Sequence, residues 1–528
     1  MRVLLISPAY PPTFWSLEHT LPFVKRRWLL PPLGLLTVAA LLPDDWDCRL
    51  VDLAIGDALP DEDLRAADVV MLSGMLVQRA SLHGVLSRCR RLGVRTVVGG
   101  PYATAMPHAL SDADHLVIGE GEEIVPELAA DLASGRARRV YRERRKPDLR
   151  RSPLPRFELA HLDAYQYMPV QYSRGCPFLC EFCDIITMYG RRPRTKDPDQ
   201  LLAELDAIRC LGFRGRIMFV DDNFIANQNE VRKLLPRLAE WRRCTRAPFD
   251  FFTEASINLA DDPSLVRLMT DAGFAVVFVG IESPSPESLR ETRKLQNLRR
   301  DLVEQIRALR RGGLDVWGGF ILGFDHDGPE IFDRMIEFVN RSGIAYATVG
   351  ILTALPNTPL HRRLAAEGRL LPDGETGDMF QLTNVVTRLP LPALLEGYIR
   401  VLEALFAPEP YFARCREHLR HWQPPPGPAR PAALDELPVV WRSLWRQGVR
   451  GPYRRAYWRF LAWVLLSAPA KLPLALAQAC AGHHFITYTQ STVVPAMRAH
   501  LERLRRGAPS LPDPTPSTES DVRVAEAY

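Results

Sequence analysis

The segment Ser173-Arg-Gly-Cys176-Pro-Phe-Leu-Cys180-Glu-Phe-Cys183-Asp places three cysteines at Cys-x3-Cys-x2-Cys spacing, directly after an apolar run at 168–173. Iron–sulfur clusters take thiolate ligands, so one loop with three thiolates can hold three irons of a [4Fe–4S] cubane and leave the fourth without a protein ligand. An open coordination position separates a reactive metal centre from a structural one. Here it could chelate the amino and carboxylate groups of a methionine moiety. The same thiols read alternatively as a zinc site with its fourth ligand elsewhere, or as three buried cysteines. The other six, Cys48, Cys89, Cys210, Cys244, Cys415 and Cys480, are scattered and read as buried apolar residues. An odd total of nine suits reduced thiols and a metal site better than a disulfide framework, and therefore a reducing, cytoplasmic compartment.

These thiols need a scaffold. Strand-like runs at 168–173, 215–220, 249–255, 275–281, 315–321 and 345–351 alternate with helical periods near 198–211, 228–243, 261–272, 299–312 and 328–342. That alternation predicts a partial (β/α)6 barrel over 166–389. Barrels of this kind build their active sites at the carboxyl ends of the strands. Polar segments stand there in register: Val220-Asp221-Asp222-Asn223, Thr253-Glu254, Gly280-Ile281-Glu282 and Gly318-Gly319-Phe320. Glu254 can accept two hydrogen bonds from ribose hydroxyls and Glu282 can serve a similar polar role. Gly319 and its neighbours permit close backbone approach to a nucleoside. Taken singly, each acid reads as a helix cap or a satisfied ion pair; their register after consecutive strands argues for one shared site.

Ahead of the barrel, β-rich runs at 2–6, 48–52, 69–72 and 95–98 alternate with helical segments at 34–42 and 80–91, predicting a Rossmann-like α/β domain over 1–140. Loops at Ser7-Pro8, Ser73-Gly74-Met75-Leu76 and Gly99-Gly100-Pro101 follow the strand ends, where an open parallel sheet places its ligand crevice. No Gly-x-Gly-x-x-Gly turn follows Ile6, which argues against a dinucleotide. A basic, proline-bearing stretch then predicts a linker over 141–165. Strand signals end near 390, and a helical region to 506 precedes a Pro/Ser/Thr-rich, acidic tail, 507–528, expected to be disordered.

The cysteine spacing resembles the signature of the radical S-adenosylmethionine (SAM) superfamily over about 165–355, and Phe182 matches the aromatic residue usual between the last two cysteines. The resemblance implies electron transfer from the cluster into SAM, with methionine and a 5′-deoxyadenosyl radical as products. Asp221, Asp222 and Asn223 resemble that family's segment for the methionine ammonium. A Rossmann-like domain before such a barrel resembles the cobalamin-dependent class, as do Pro31-Pro-Leu-Gly, Gly99-Gly100-Pro-Tyr and Ile118-Gly119-Glu120-Gly-Glu-Glu123. The usual Asp-x-His-x-x-Gly lower-ligand motif is absent, so Ser73, Gly74, Met75 and Leu76 are expected against the lower face of the cobalamin instead. At full length the chain resembles the hopanoid C-2 methylase group. That implies methylation of an unactivated carbon in a hydrophobic or lipid-like small molecule through a 5′-deoxyadenosyl radical and methylcobalamin, with a flavodoxin or ferredoxin as electron donor. The alternatives are an oxidative cyclase of the anaerobic magnesium-protoporphyrin ester cyclase type and a non-catalytic cobalamin-binding sensor or scaffold. The complete cysteine set speaks against the latter.

Composition bounds the rest. A length of 528 residues fits two or three domains; 47% hydrophobic and 24% charged residues exclude wholesale disorder and a polytopic membrane protein. A net charge of +5, with no RNA-binding module, argues against nucleic acid as a partner. The apolar start, Met1 to Ser7, is too short for a signal-peptide core. Trp441 to Phe460 combines Trp, Tyr and Arg, and the apolar run from Phe460 to Ala481 is interrupted by Pro469, Lys471 and Pro473. This suits peripheral contact with a bilayer, or equally a helical cap on the barrel, rather than a spanning helix.

Overall fold

Val3, Leu4, Leu5 and Ile6 are buried on both faces of the first strand, the pattern of a parallel sheet covered by helices on each side. The structure, a computed structural model, describes residues 1–371, 382–424 and 437–506. Its first sheet is parallel, in the order β2-β1-β3-β4-β5-β6, with β1 (Arg2–Ser7), β2 (Asp47–Asp52), β3 (Val69–Ser73), β4 (Thr96–Gly99), β5 (His115–Ile118) and β6 (Val140–Arg142). The chain runs from β1 to one side, then returns to continue on the other, so the order reverses between β1 and β3. An open sheet binds ligands outside the carboxyl ends at such a reversal, and Ser7-Pro8 and Ser73-Gly74 lie there. The sequence runs did not signal β5 and β6. Strand β6 pairs with β5 inside the basic stretch expected to be a linker, and carries the sheet past residue 140.

The second sheet is a six-stranded parallel partial barrel in the order β7-β10-β11-β12-β13-β14: β7 (Tyr167–Val170), β10 (Arg216–Phe219), β11 (Phe251–Glu254), β12 (Phe274–Glu282), β13 (Asp315–Leu322) and β14 (Ala347–Ile351). Amphipathic helices, among them Leu302–Arg311 and Ile331–Ser342, cover its outside. A short antiparallel pair, β8 (Ser173–Arg174) with β9 (Arg194–Thr195), brackets the cysteine loop.

From Leu391 onward the described residues form helices: Leu391–Phe406, Pro408–His421, Leu437–Ser443 running into Leu444–Val449, Arg454–Ser467, Leu472–Tyr488 and Val494–Arg505. The long apolar run breaks where Pro469 and Pro473 cap new helical starts. Among the described residues no helix is long and apolar enough to cross a membrane. The tail at 507–528 lies outside the described residues. Of the scattered cysteines, Cys48, Cys89, Cys415 and Cys480 are buried, whereas Cys210 and Cys244 are exposed near the ends of surface helices, against the expectation of six buried thiols.

Candidate active site

The cysteine loop is held from below by the turn after β10. Asp221 is buried, and its carboxylate accepts from the Tyr172 and Ser173 amides (3.0 and 2.5 Å) and the Ser173 hydroxyl (2.6 Å). Asp222 accepts from the Gly175 amide at 2.9 Å. Gly175 has φ +95°, and a Cβ there would come within 2.9 Å of the Gly190 carbonyl oxygen, so the loop closes on itself only through glycine. Asn223 directs its amide at Cys176 Sγ (3.9 Å) and Ser256 Oγ (3.1 Å). Asp221 and Asn223 therefore serve the loop that carries the thiols. Asp221, expected at a methionine ammonium, has its oxygens taken by three donors.

Two residues without any sequence motif complete this side. Gln296, buried, points its amide at Cys180 Sγ (3.8 Å). Lys294 pairs with Glu282 at 2.7 Å and lies 5.9 Å from the Phe182 ring centroid. Glu282 has φ +67° where the β12–β13 register shifts, and a Cβ at Gly280 would come within 2.3 Å of its carboxylate. Strain of this kind collects at functional sites. Burial pushes the Cys176 and Cys183 thiols up. Iron requires thiolate, and the amides of Asn223 and Gln296, with the Lys294 ammonium, favour that charged form. The loop thus fits a cluster.

At the barrel mouth, burial and then the Asp222 charge push the Glu254 carboxyl up to about 7; burial and then Asp221 do the same for Asp222, to about 7. Carboxyls raised this far above their ordinary range mark a dry, acid-rich recess. Gly319 lies under Phe278, whose ring a Cβ there would meet at 2.8 Å.

Between the two sheets lies a cavity of about 760 Å³. One wall holds Ser73, Gly74, Met75, Leu76, Gly99, Gly100 and Gly119; the other holds Asp222 and inward-facing barrel residues such as Met218 and Phe252. The loops of the first wall are tied together: Gln78 accepts from the Met75 amide (2.8 Å) and donates to the Pro8 carbonyl (2.5 Å), and the Tyr102 amide donates to the Gly74 carbonyl (3.0 Å). Gly100, at φ +83°, sits so close that a Cβ would meet Ser73 Oγ at 2.3 Å. A wall of small residues lets a flat macrocycle approach the backbone, and Met75, 50% exposed, lines the same cavity. No histidine lines the cavity among the described residues. His83 instead meets the Tyr102 hydroxyl at 3.0 Å. The cradle fits a corrinoid without an imidazole from this wall. Asp221, Asn223, Glu254, Glu282, Gly319 and Phe182 lie outside this lining.

Glu120 borders the cavity, and arginines take up its carboxylate. Its carboxylate accepts from Arg174 Nη1 (2.8 Å) and from Arg194 Nη1 and Nη2 (3.0 and 2.7 Å), and Arg174 also pairs with Glu122 at 2.8 Å. Within the Gly-Glu-Gly-Glu segment, which lines the cavity, the Glu120 and Glu122 carboxylates bolt the first sheet to the strands on either side of the cysteine loop.

Family comparisons agree with this two-part site. The radical SAM superfamily model matches residues 170–339, the B12 binding domain model matches 23–129, and a domain of unknown function (DUF4070) matches 358–495. The chain is 34% identical over 525 residues to hopanoid C-2 methylase of Rhodopseudomonas palustris, covering 96% of this chain and 97% of that protein. It is 41% identical over 496 residues to an uncharacterized methyltransferase of Synechocystis sp., covering 93% and 92%. The solved structure of OxsB, a cobalamin-dependent SAM radical enzyme, shares the fold with TM-score 0.59 at 14% identity over 99% of this chain and 82% of that one. The radical SAM methyltransferase TsrM of Kitasatospora setae does so with TM-score 0.55 at 18% identity, covering 69% and 76%. The fold and site define a cobalamin-dependent radical SAM enzyme, with a [4Fe–4S] cluster, SAM and cobalamin as cofactors. The chain belongs to the family of the hopanoid C-2 methylase.

Proposed function

We propose that this enzyme transfers a methyl group from SAM to an unactivated carbon of a hydrophobic, lipid-like substrate. The observation that carries the reading is the single cavity joining the glycine-lined crevice of the first sheet to the apolar interior of the barrel, with Asp222 at its rim. Cys176, Cys180 and Cys183 hold the cluster, and Asp221, Asn223 and Gln296 position their loop. Asp222, Glu254, Glu282 and Gly319 form the SAM recess; Ser73, Gly74, Met75, Leu76, Gly99, Gly100 and Gly119 cradle cobalamin. When bound, these groups supply the electron that cleaves SAM and carry the methyl group. The protein keeps water from the reacting carbon with apolar walls, and burial raises the Asp222 and Glu254 carboxyls well above the usual carboxylate range.

A flavodoxin or ferredoxin serves as reductant. Trp441, Trp445, Trp458, Leu465 and Leu466, all exposed and interleaved with Arg446, Arg450, Arg455 and Arg459, support peripheral contact with a bilayer carrying the substrate. The test is anaerobic incubation with methyl-labelled SAM, dithionite and a hopanoid lipid, followed by mass spectrometry. Gain of one labelled methyl per product supports methylation. Loss of hydrogens or gain of oxygen without label supports the cyclase alternative.

A further inference from the structure

Deep to the polar rim, the barrel's inner wall is a chain of rings. Tyr167 meets Phe252 (centroids 6.4 Å apart), Phe252 meets Trp317 (4.9 Å), and Trp317 stacks on Tyr346 at 4.2 Å with planes 7° apart. The chain does not end at the barrel. Tyr346 meets Phe485 of the helix Leu472–Tyr488 edge-on at 6.1 Å. Phe485 meets Phe14 at 6.1 Å, on the loop that follows β1. The next residue, Trp15, lies 4.8 Å from Phe278 of β12 and borders the same cavity while still 38% exposed.

The C-terminal helices hold this loop in place. Phe14 stands edge-on to Tyr488 at 5.1 Å, Tyr488 donates to the Pro12 carbonyl at 2.8 Å, and Thr20 donates to the Cys480 carbonyl at 3.2 Å. A turn in which Ser16 donates to the Thr13 carbonyl, at 2.7 Å, sets Trp15 over Phe278.

We infer that this ring-lined chamber is the seat of the substrate's apolar body, that Trp15 is its lid and a specificity-determining residue, and that the C-terminal helical region exists to hold the lid and supply Phe485 as a wall. The inference rests on the methyl-transfer reading above and gives it a location. Aromatic rings offer large apolar area with little entropy to lose on binding. A half-exposed indole over such a wall has the most to gain when an apolar molecule slides beneath it.

The test is titration of the reconstituted full-length enzyme with pyrene, read by energy transfer from tryptophan. Trp15→Ala and Phe485→Ala are each expected to weaken pyrene about tenfold or more, while iron and cobalamin contents stay at the wild-type level. Trp15→Phe is expected to stay within about threefold, which separates loss of a wall from loss of fold. Trp441→Ala, on the exposed patch, is expected to leave the affinity unchanged. Unchanged affinity in Trp15→Ala, or loss in Trp441→Ala instead, overturns the chamber. Wild type that methylates a lipid but binds no pyrene overturns the chamber and spares the methyl-transfer reading; the expected pyrene pattern in an enzyme that methylates no lipid does the reverse.

Discussion

Replacing Glu120 by Ala removes the acceptor shared by Arg174 and Arg194, the residues that pin β8 and β9 on either side of the cysteine loop. Breaking a buried ion pair from one side costs about 3–5 kcal/mol, because the partner is left buried and uncompensated. Two features move the figure to the low end. Arg174 keeps Glu122 at 2.8 Å, and Arg194 keeps the Pro147 and Tyr189 carbonyls at 2.8 and 3.1 Å. A loss of about 3 kcal/mol is therefore expected, with Glu120→Gln losing about 2 kcal/mol since one oxygen still accepts. A global melting curve does not report which segment has loosened. Amide hydrogen exchange followed by mass spectrometry resolves the segment instead. At tenfold per 1.4 kcal/mol, peptides covering Ser173 to Thr195 should exchange about a hundredfold faster in Glu120→Ala, while peptides of β1 keep their rate. Acceleration of less than about fivefold would refute the view that Glu120 is the bolt between the sheets.

Asp221→Ala leaves the Tyr172 and Ser173 donors without a partner, and is expected to cost about 2–4 kcal/mol locally and to lower iron bound after reconstitution well below the wild-type level, read by metal analysis. Asp315, buried at the amino end of the barrel strands, has its carboxyl pushed up to about 6 by burial, which the Trp317 indole and Arg310 offset only in part. A carboxyl raised above its unfolded value holds its proton longer when folded, so this group's contribution falls as pH rises from about 4 to about 6. Asp315→Asn removes that slope, and its stability relative to wild type in urea should improve by about 2 kcal/mol from pH 4 to pH 7; a pH-independent difference counts against it. Gly482→Ala drives a methyl within 2.2 Å of Tyr411 and should destabilise the helical region by about 1–3 kcal/mol, seen as a lower urea midpoint.

The parallel strands were legible because a sheet buried on both faces must be written as unbroken apolar runs, as at Val3–Ile6 and Val69–Leu72. Strand β6 was hidden because Val140-Tyr-Arg alternates exposed, buried, exposed within a run of arginines, and its pairing with β5 is long-range. The three cysteines were legible from spacing alone. Lys294 and Gln296 were not, since their link to Cys180 and Glu282 spans loops with no local periodicity, and a helical turn with Lys and Gln is ordinary on its own. Glu120 has a structural role that its sequence setting does not show. Its glycine-flanked setting reads locally as a ligand turn, and only the packing of the two sheets brings Arg174 and Arg194 to it.

The central claim, that one chain carries a site-differentiated cluster next to a corrinoid, is tested most directly by anaerobic reconstitution with iron, sulfide and hydroxocobalamin, then metal analysis and addition of SAM with dithionite. About four irons and about one cobalamin per chain are expected, with 5′-deoxyadenosine formed, and loss of the iron and the nucleoside but not the cobalamin when Cys176, Cys180 and Cys183 are all changed to Ala. Cluster and SAM cleavage in a protein that retains no cobalamin would contradict it.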